Sequence, residues 1–254
     1  MEMLERLINY FKQFENVCIA FSGGADSSLL LHAAVLALGE KNVIAVMVKT
    51  QLHTDIEERD AEKFANECGV KLVVLNINPF LNERIKYNDK SRCYHCKKLI
   101  FEKIIEYSKI TVCDGTNADD IKGYRPGFEA IKELSVKSPL LELGLTKKMV
   151  REALLNQSLT VYKKPARPCI ATRFPYGTEI TQEKIEQVIR GEAVLEECGL
   201  INYRLRVHHD IARIETNEPE KLLENKQKIL ESLHKIGFKF VTLDLDGFRS
   251  GSFD

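Results

Sequence analysis

The stretch SRCYHCK, residues 91–97, sets Cys93 and Cys96 three positions apart with His95 between them. Such a pair can bind a metal, pass electrons, close a disulfide or fill space; two thiolates supply only half of a four-ligand site. A second reactive stretch, VCIAFSGGADSSLLL (17–31), runs from an apolar segment into two glycines, hydroxyls and a carboxylate. Gly23 and Gly24 let backbone N–H groups approach an anion, and a helix following them turns its N-terminus toward the same anion. Ser22 and Ser27, with Ser28 beside them, can add hydroxyl donors, and Asp26 can hold Mg²⁺ or orient the loop. The loop is neither GxxxxGK[ST] nor GxGxxG. Its plain structural alternative is a glycine turn joining strand to helix.

Charged residues elsewhere suggest an anionic substrate. In YRLRVHH (203–209), Arg204 and Arg206 are two apart and share one face of a strand. Two guanidinium forks on one face suit a phosphate, whereas a solvated strand face is the bland alternative. Arg173 stands four residues after a third cysteine, Cys169, and with Lys97 can bring positive charge near sulfur. Asp119 and Asp120 in DGTNADD can hold Mg²⁺ or simply build a turn. Glu192 and Glu215 can serve as acid–base or support residues, or be solvated.

These residues need elements to position them. The apolar runs at 17–21, 43–49 and 71–77 read as buried strands, and residues 110–120 as a fourth strand running into a loop. Helices are expected after the SGG loop up to Gly39, at about 54–68, and from about Cys93 to Ser108. Strands alternating with helices predict an α/β fold with a parallel sheet, its ligand beyond the strands' carboxyl ends, where the SGG and DGTNADD loops both fall. Residues 121–180 are loop-rich, with one helix capped by Thr146. Beyond them a helix (181–198), a hairpin, a helix (219–236) and a strand (239–246) predict a small α+β domain. The expected division is 1–168 and 169–254.

Lysine plus arginine equals aspartate plus glutamate at 37 each, so no footprint for a long nucleic acid is evident. The opening residues read as an amphipathic helix, without an apolar signal core, and no stretch approaches a membrane span. Seven cysteines at irregular spacing suit a reducing, cytoplasmic setting and thiol or metal chemistry better than a disulfide framework. Cys18, Cys68, Cys113 and Cys198 read as core or incidental.

The SGGADS loop resembles that of the PP-loop ATP pyrophosphatases, which cleave ATP between the α and β phosphates and adenylate a substrate. SRCYHCK, DGTNADD, GYRPG, SPLLELGLTK, KKPARPCIATRFPYG, YRLRVHHDIARIE and LDGFRSGSFD follow in the order found in one branch, the LarE-type sulfur transferases of nickel-pincer nucleotide biosynthesis. The resemblance runs from Ser22 to Phe253. It implies that ATP adenylates a carboxylate on a pyridinium mononucleotide and that sulfur then replaces AMP, with Arg204 and Arg206 holding the substrate phosphate. One form of the family sacrifices a single cysteine, here Cys169; the other holds a [4Fe-4S] cluster on three. With Cys93, Cys96 and Cys169 present, the chain fits the cluster-bearing form. Three thiolates leave one iron open for sulfide from an external donor. A zinc site using His95 or an idle thiol pair are the alternatives. A homo-oligomer is expected. tRNA is the less favoured substrate, and an amide-forming synthetase or a nucleotide-binding regulator leaves the three cysteines idle.

Overall fold

Strand β1 (Val17–Ala20) lies in the interior of a parallel sheet, hydrogen-bonded to β2 (Val43–Lys49) on one side and β4 (Val112–Cys113) on the other, with β3 (Leu72–Asn76) beyond β2. The computed structural model describes residues 2–121, 126–164 and 168–249. Parts of the GYRPG, KKPARPC and LDGFRSGSFD stretches lie outside them. In β2 the side chains alternate. Val43, Ala45 and Met47 join one apolar cluster, while Val46 and Val48 join another on the opposite face. A strand buried on both faces reads as a continuous apolar run, as this one does.

The first cluster is closed by α1 (Glu2–Phe11), α2 (Ala25–Leu38), α3 (Asp55–Glu67) and α6 (Lys147–Asn156). Helix α2 is apolar all round because it is sandwiched: it packs under β1 and meets α1 and α6 on its other sides. On the opposite face α4 (Arg92–Ser108) brings Phe101 and Ile104 against Val46 and Val112, and α5 (Pro126–Glu133) packs beside it with Ile131. Capping follows the sequence. Thr54 and Glu57 form a reciprocal capping box on α3, and Thr146 Oγ1 accepts from the Met149 N–H on α6. Two readings change. The fourth strand is only two residues long, and on its far side Cys113 makes a single parallel bridge with Lys137, whose O accepts from Asp114 N–H and whose N–H donates to Val112 O. The loop-rich region also contains α5, which its Pro-Gly start had hidden.

The chain divides into two compact units: residues 1–82 with 91–167, and 83–90 with 168–254. The second unit thus takes up Glu83–Lys90, which the sequence reading assigned to the first. The reason is Asn88, wholly buried and in the left-handed region at φ 50, whose Nδ2 donates to Phe174 O (2.7 Å) and Pro175 O (2.9 Å). Within this unit α7 (Gln182–Glu197) precedes an antiparallel pair, β5 (Tyr203–His208) and β6 (Ile211–Thr216). Helix α8 (Lys226–Ile236) then crosses over to β7 (Phe240–Leu243), parallel to β6. The single helix expected at 219–236 is broken at Asn225, which ends Pro219–Glu224 and starts α8. Leu205, Val207, Ala212 and Ile214 form the apolar side of this sheet, while Arg204, Arg206, Arg213 and Glu215 occupy the alternate positions. Among the described residues no helix is long and apolar enough to cross a membrane.

Candidate active site

The SGG loop leaves the carboxyl end of β1. Gly23 takes φ +70, and a Cβ there would stand 3.0 Å from the Ala61 Cβ on α3, so both backbone conformation and space demand glycine. Gly24 caps α2 with ordinary angles, and a Cβ on it would meet nothing nearer than Ser22 Oγ at 3.4 Å. The loop is tied by its hydroxyls. Ser27 Oγ donates to Gly24 O (3.1 Å), accepts from Ser22 N–H (3.3 Å) and lies 3.2 Å from Ser22 Oγ. Ser28 donates its N–H to Gly24 O, and its side chain is wholly buried. No side chain caps α2, so its first N–H groups remain available to an anion.

The loop after β4 closes on the same edge. Gly115 runs so close to α2 that a Cβ would lie 3.0 Å from Ser27 N and 3.2 Å from Asp26 Cβ. Asn117 is buried; its Oδ1 accepts from Asp119 N–H (3.0 Å), and its Nδ2 has no acceptor at hydrogen-bond length among the described residues. Asp119 Oδ2 accepts from Lys147 N–H (2.9 Å), and Asp120 pairs with Lys147 Nζ (3.0 Å). Burial, and then the Asp120 charge, push the Asp26 carboxyl up to about 6, against the pull of Lys147, Asn117 and Arg151. Asp26 is thus a carboxylate awaiting a cation or a proton. Gly115, Asn117 and Lys147 went unassigned in the sequence although they lie in quoted stretches; nothing in their spacing marks the close approach of the two loops.

Cys93 and Cys96 lie one turn apart at the start of α4. Cys93 is exposed and Cys96 half-buried, and Arg92, itself buried, donates from Nη2 to Cys93 Sγ (3.4 Å). One turn on, Lys97 reaches Asp114 (3.7 Å), a buried carboxylate that also accepts from Thr116 (2.5 Å) and Ser138 (2.6 Å). Lys97 thus links the cysteine helix to the β4 loop.

In the second unit Cys169 is exposed at the cap of a short 3₁₀ turn, Ile170–Arg173. Thr172 Oγ1 donates to Cys169 O (2.8 Å), and Arg173 Nη1 donates to Pro168 O (3.3 Å). The Arg173 Nε and Nη2 grip Glu192 (2.7 and 3.1 Å), and Glu192 also accepts from the Leu205 N–H of β5 (3.2 Å). Arg206, 1% exposed, grips Glu215 in the same way (2.9 and 3.1 Å), and its Nη1 donates to Thr172 O. Glu215 also pairs with Arg213 (3.1 Å). Glu215 is thus buried and Glu192 half-buried, each gripping an arginine. Arg173 and Arg206 hold the cysteine turn from two sides, while Arg204, on the same sheet face as Arg206, has no carboxylate partner among the described residues and donates from Nη1 to Arg249 O (3.0 Å). Among the described residues no three His, Cys, Asp or Glu side chains stand close enough together to enclose a metal ion. Cys93 and Cys96 belong to one unit and Cys169 to the other.

A parallel sheet with a glycine loop after its first strand and an acidic loop facing it defines an ATP-using protein of the PP-loop class. Residues 2–99 match the NAD synthase family. The chain is 36% identical over 96% of its length to the pyridinium-3,5-bisthiocarboxylic acid mononucleotide synthase of Lactiplantibacillus plantarum, covering 91% of that protein. It is 36% identical over 98% of its length to an uncharacterized protein of Synechocystis sp., covering 95% of it. It is 30% identical over 98% to an uncharacterized protein of Methanocaldococcus jannaschii, covering all of it. The chain belongs to the LarE family of ATP-dependent sulfur transferases, a branch of the PP-loop ATP pyrophosphatases.

Proposed function

We propose that this protein adenylates a carboxylate of a pyridinium mononucleotide and exchanges the AMP for sulfur. The observation that carries the reading is the near full-length similarity to a synthase whose named product is a pyridinium bisthiocarboxylic acid mononucleotide. The described loops fit its first half. Backbone N–H groups at Gly23, Gly24 and the α2 N-terminus receive the ATP phosphates. Asp26, whose carboxyl is raised first by burial and then by the charge of Asp120, takes Mg²⁺, which offsets both. A substrate carboxylate oxygen attacks the α-phosphorus, the bond to the bridging oxygen breaks, and pyrophosphate leaves with that electron pair. A sulfur nucleophile then adds to the acyl carbon and AMP departs.

Arg204 receives the substrate phosphate, with Arg206 behind it, and Arg173 holds the turn of Cys169. The donor chemistry fits a [4Fe-4S] cluster: Cys93 and Cys169 are exposed and Cys96 half-buried, whereas burial pushes the Cys18 and Cys68 thiols up to about 11 and Cys113 higher still. When bound by Cys93, Cys96 and Cys169, such a cluster supplies an iron position open to an external sulfide. The protein's own residues supply the thiolates, a hydrogen bond from Arg92, and the fixed backbone around Cys169.

The test is pyrophosphate release with Mg-ATP and nicotinate mononucleotide, alongside an anaerobic iron and sulfide assay with an absorbance scan. Expected are pyrophosphate, about four irons per chain, and loss of the brown chromophore in each of Cys93→Ala, Cys96→Ala and Cys169→Ala while pyrophosphate release persists. ADP and orthophosphate as products would exclude the PP-loop reaction. A mass loss of H₂S at Cys169 after one turnover without iron would establish the sacrificial form instead.

A further inference from the structure

Three arginines of the second unit are buried on one side of its sheet, and each has a side-on edge formed by Nε and Nη2. Arg173 fills that edge with Glu192, and Arg206 fills it with Glu215. Arg204, 6% exposed, does not: its Nε is buried and without a hydrogen-bond partner among the described residues. A buried guanidinium with an unfilled edge is costly unless an anion completes it. Burial, with the charges of Arg206 and Arg173, draws its pKa down, the expected signature of a cation short of counter-charge.

Arg204 is nevertheless held in one orientation, by the segment Asp244–Arg249. The Phe248 ring lies 4.7 Å from the guanidinium carbon, and Arg249 O takes Nη1 at 3.0 Å. The segment is itself fixed. Asp244 pairs with Arg213 (3.5 Å), Gly247 N–H returns to Asp244 O (3.1 Å), and Phe248 N–H donates to Asn217 Oδ1 (3.0 Å). Gly247, at φ +74, fits so tightly that a Cβ would lie 2.9 Å from Asn217 Oδ1. Arg249 closes the turn on Asp246 at 2.6 Å. Such a turn occupies one face and one corner of Arg204, and no described residue fills the side-on edge. That edge is the geometry for two oxygens of one phosphate.

We infer that Asp244–Arg249 is a substrate-selecting element: Phe248, stacked on Arg204, and the Arg249 carbonyl orient the guanidinium so that its Nε edge receives the phosphate monoester of the mononucleotide. The inference rests on the assignment of Arg204 to that phosphate and adds Phe248 as a positioning residue.

The test titrates the full chain with nicotinate mononucleotide, with nicotinate riboside, which lacks the phosphate, and with ATP. Phe248→Ala should weaken mononucleotide binding roughly 5- to 30-fold, the range of a desolvated cation–π contact. Riboside and ATP affinities should stay as in the wild type, so the preference for the phosphorylated ligand collapses. Phe248→Tyr should restore it to within about twofold, since its ring has the same face. Asn217→Ala, which releases the Phe248 N–H from outside the stack, should give a smaller loss of the same selectivity and provides the measurement if Phe248→Ala does not fold. Unchanged or tighter mononucleotide binding in Phe248→Ala, with binding lost in Arg204→Ala, overturns the role of the segment and leaves Arg204 as the phosphate residue. Wild-type binding in Arg204→Ala overturns the phosphate assignment itself.

Discussion

Gly23 and Gly24 are neighbours in one loop, yet the structure assigns them different reasons to be glycine, and alanine substitutions separate those reasons. At Gly23 a side chain faces a φ of +70, which costs an L-residue about 1–2 kcal/mol, and collision with Ala61 on α3, which costs about 1–3 kcal/mol more. Gly23→Ala should therefore destabilise the fold by about 2–5 kcal/mol. Gly24 has φ −79 and ψ 165, and its nearest obstacle is Ser22 Oγ at 3.4 Å. Alanine there gives up a helix-cap preference of about 1 kcal/mol and regains about 0.4–1 kcal/mol by restricting the unfolded chain. The net change in stability should fall within about 1 kcal/mol of zero. On the proposed reading, the new methyl group nevertheless projects into the path by which the phosphates of ATP approach the backbone. Urea unfolding and Mg-ATP pyrophosphate release on both variants decide the matter. Gly24→Ala should unfold like the wild type and lose pyrophosphate release. If it keeps full activity, the phosphates do not pass over Gly24. If Gly23→Ala is as stable as the wild type, the backbone argument is wrong.

Two further outcomes follow from the same geometry. Asp26 has its carboxyl raised from 3.8 to about 6, so the folded chain holds that proton more tightly than the unfolded one. Its contribution to stability is fully present below pH 4 and lost as pH rises through 6. Asp26→Asn should then match the wild type in urea near pH 4, exceed it by about 1–3 kcal/mol at pH 7, and lose Mg²⁺-dependent pyrophosphate release; a stability gap that does not change with pH refutes the shift. Alkylation of the metal-free native protein, read by peptide mass, should modify Cys93 and Cys169 fast and Cys96 more slowly, while Cys18 and Cys113 react only on unfolding. Fast labelling of Cys113 would contradict its burial.

Much of this architecture was legible because period and capping act locally. The run Val43–Lys49 is strand from end to end as read, and Thr146 caps its helix by the expected bond. What sequence could not show depends on distant partners. Arg204 and Arg206 share a strand face as their spacing requires, and the register sets Glu215 opposite Arg204, yet the side chain of Glu215 turns diagonally to Arg206, and no described carboxylate pairs with Arg204. Likewise Asp26 looked like an ordinary loop acid until the Asp120 loop lay beside it. The fourth strand ends at Cys113, where a single parallel bridge to Lys137, distant in sequence, stands in place of a longer ladder.

The capture of Glu83–Lys90 by the second unit has a consequence for how this protein can be taken apart. The backbone passes between the two units three times, after Asn82, after Lys90 and after Arg167. No single cut yields both units whole. A fragment beginning at Pro168 lacks Asn88 and leaves the Phe174 and Pro175 carbonyls without their amide, so it is an incomplete fold, unsuited to expression by itself and to exchange by simple recombination. During synthesis the first unit is likewise interrupted at Asn82 and resumes at Ser91, the residue that opens the cysteine helix. The stretch SRCYHCK thus begins where the chain re-enters the first unit, directly after a segment that folds with the second.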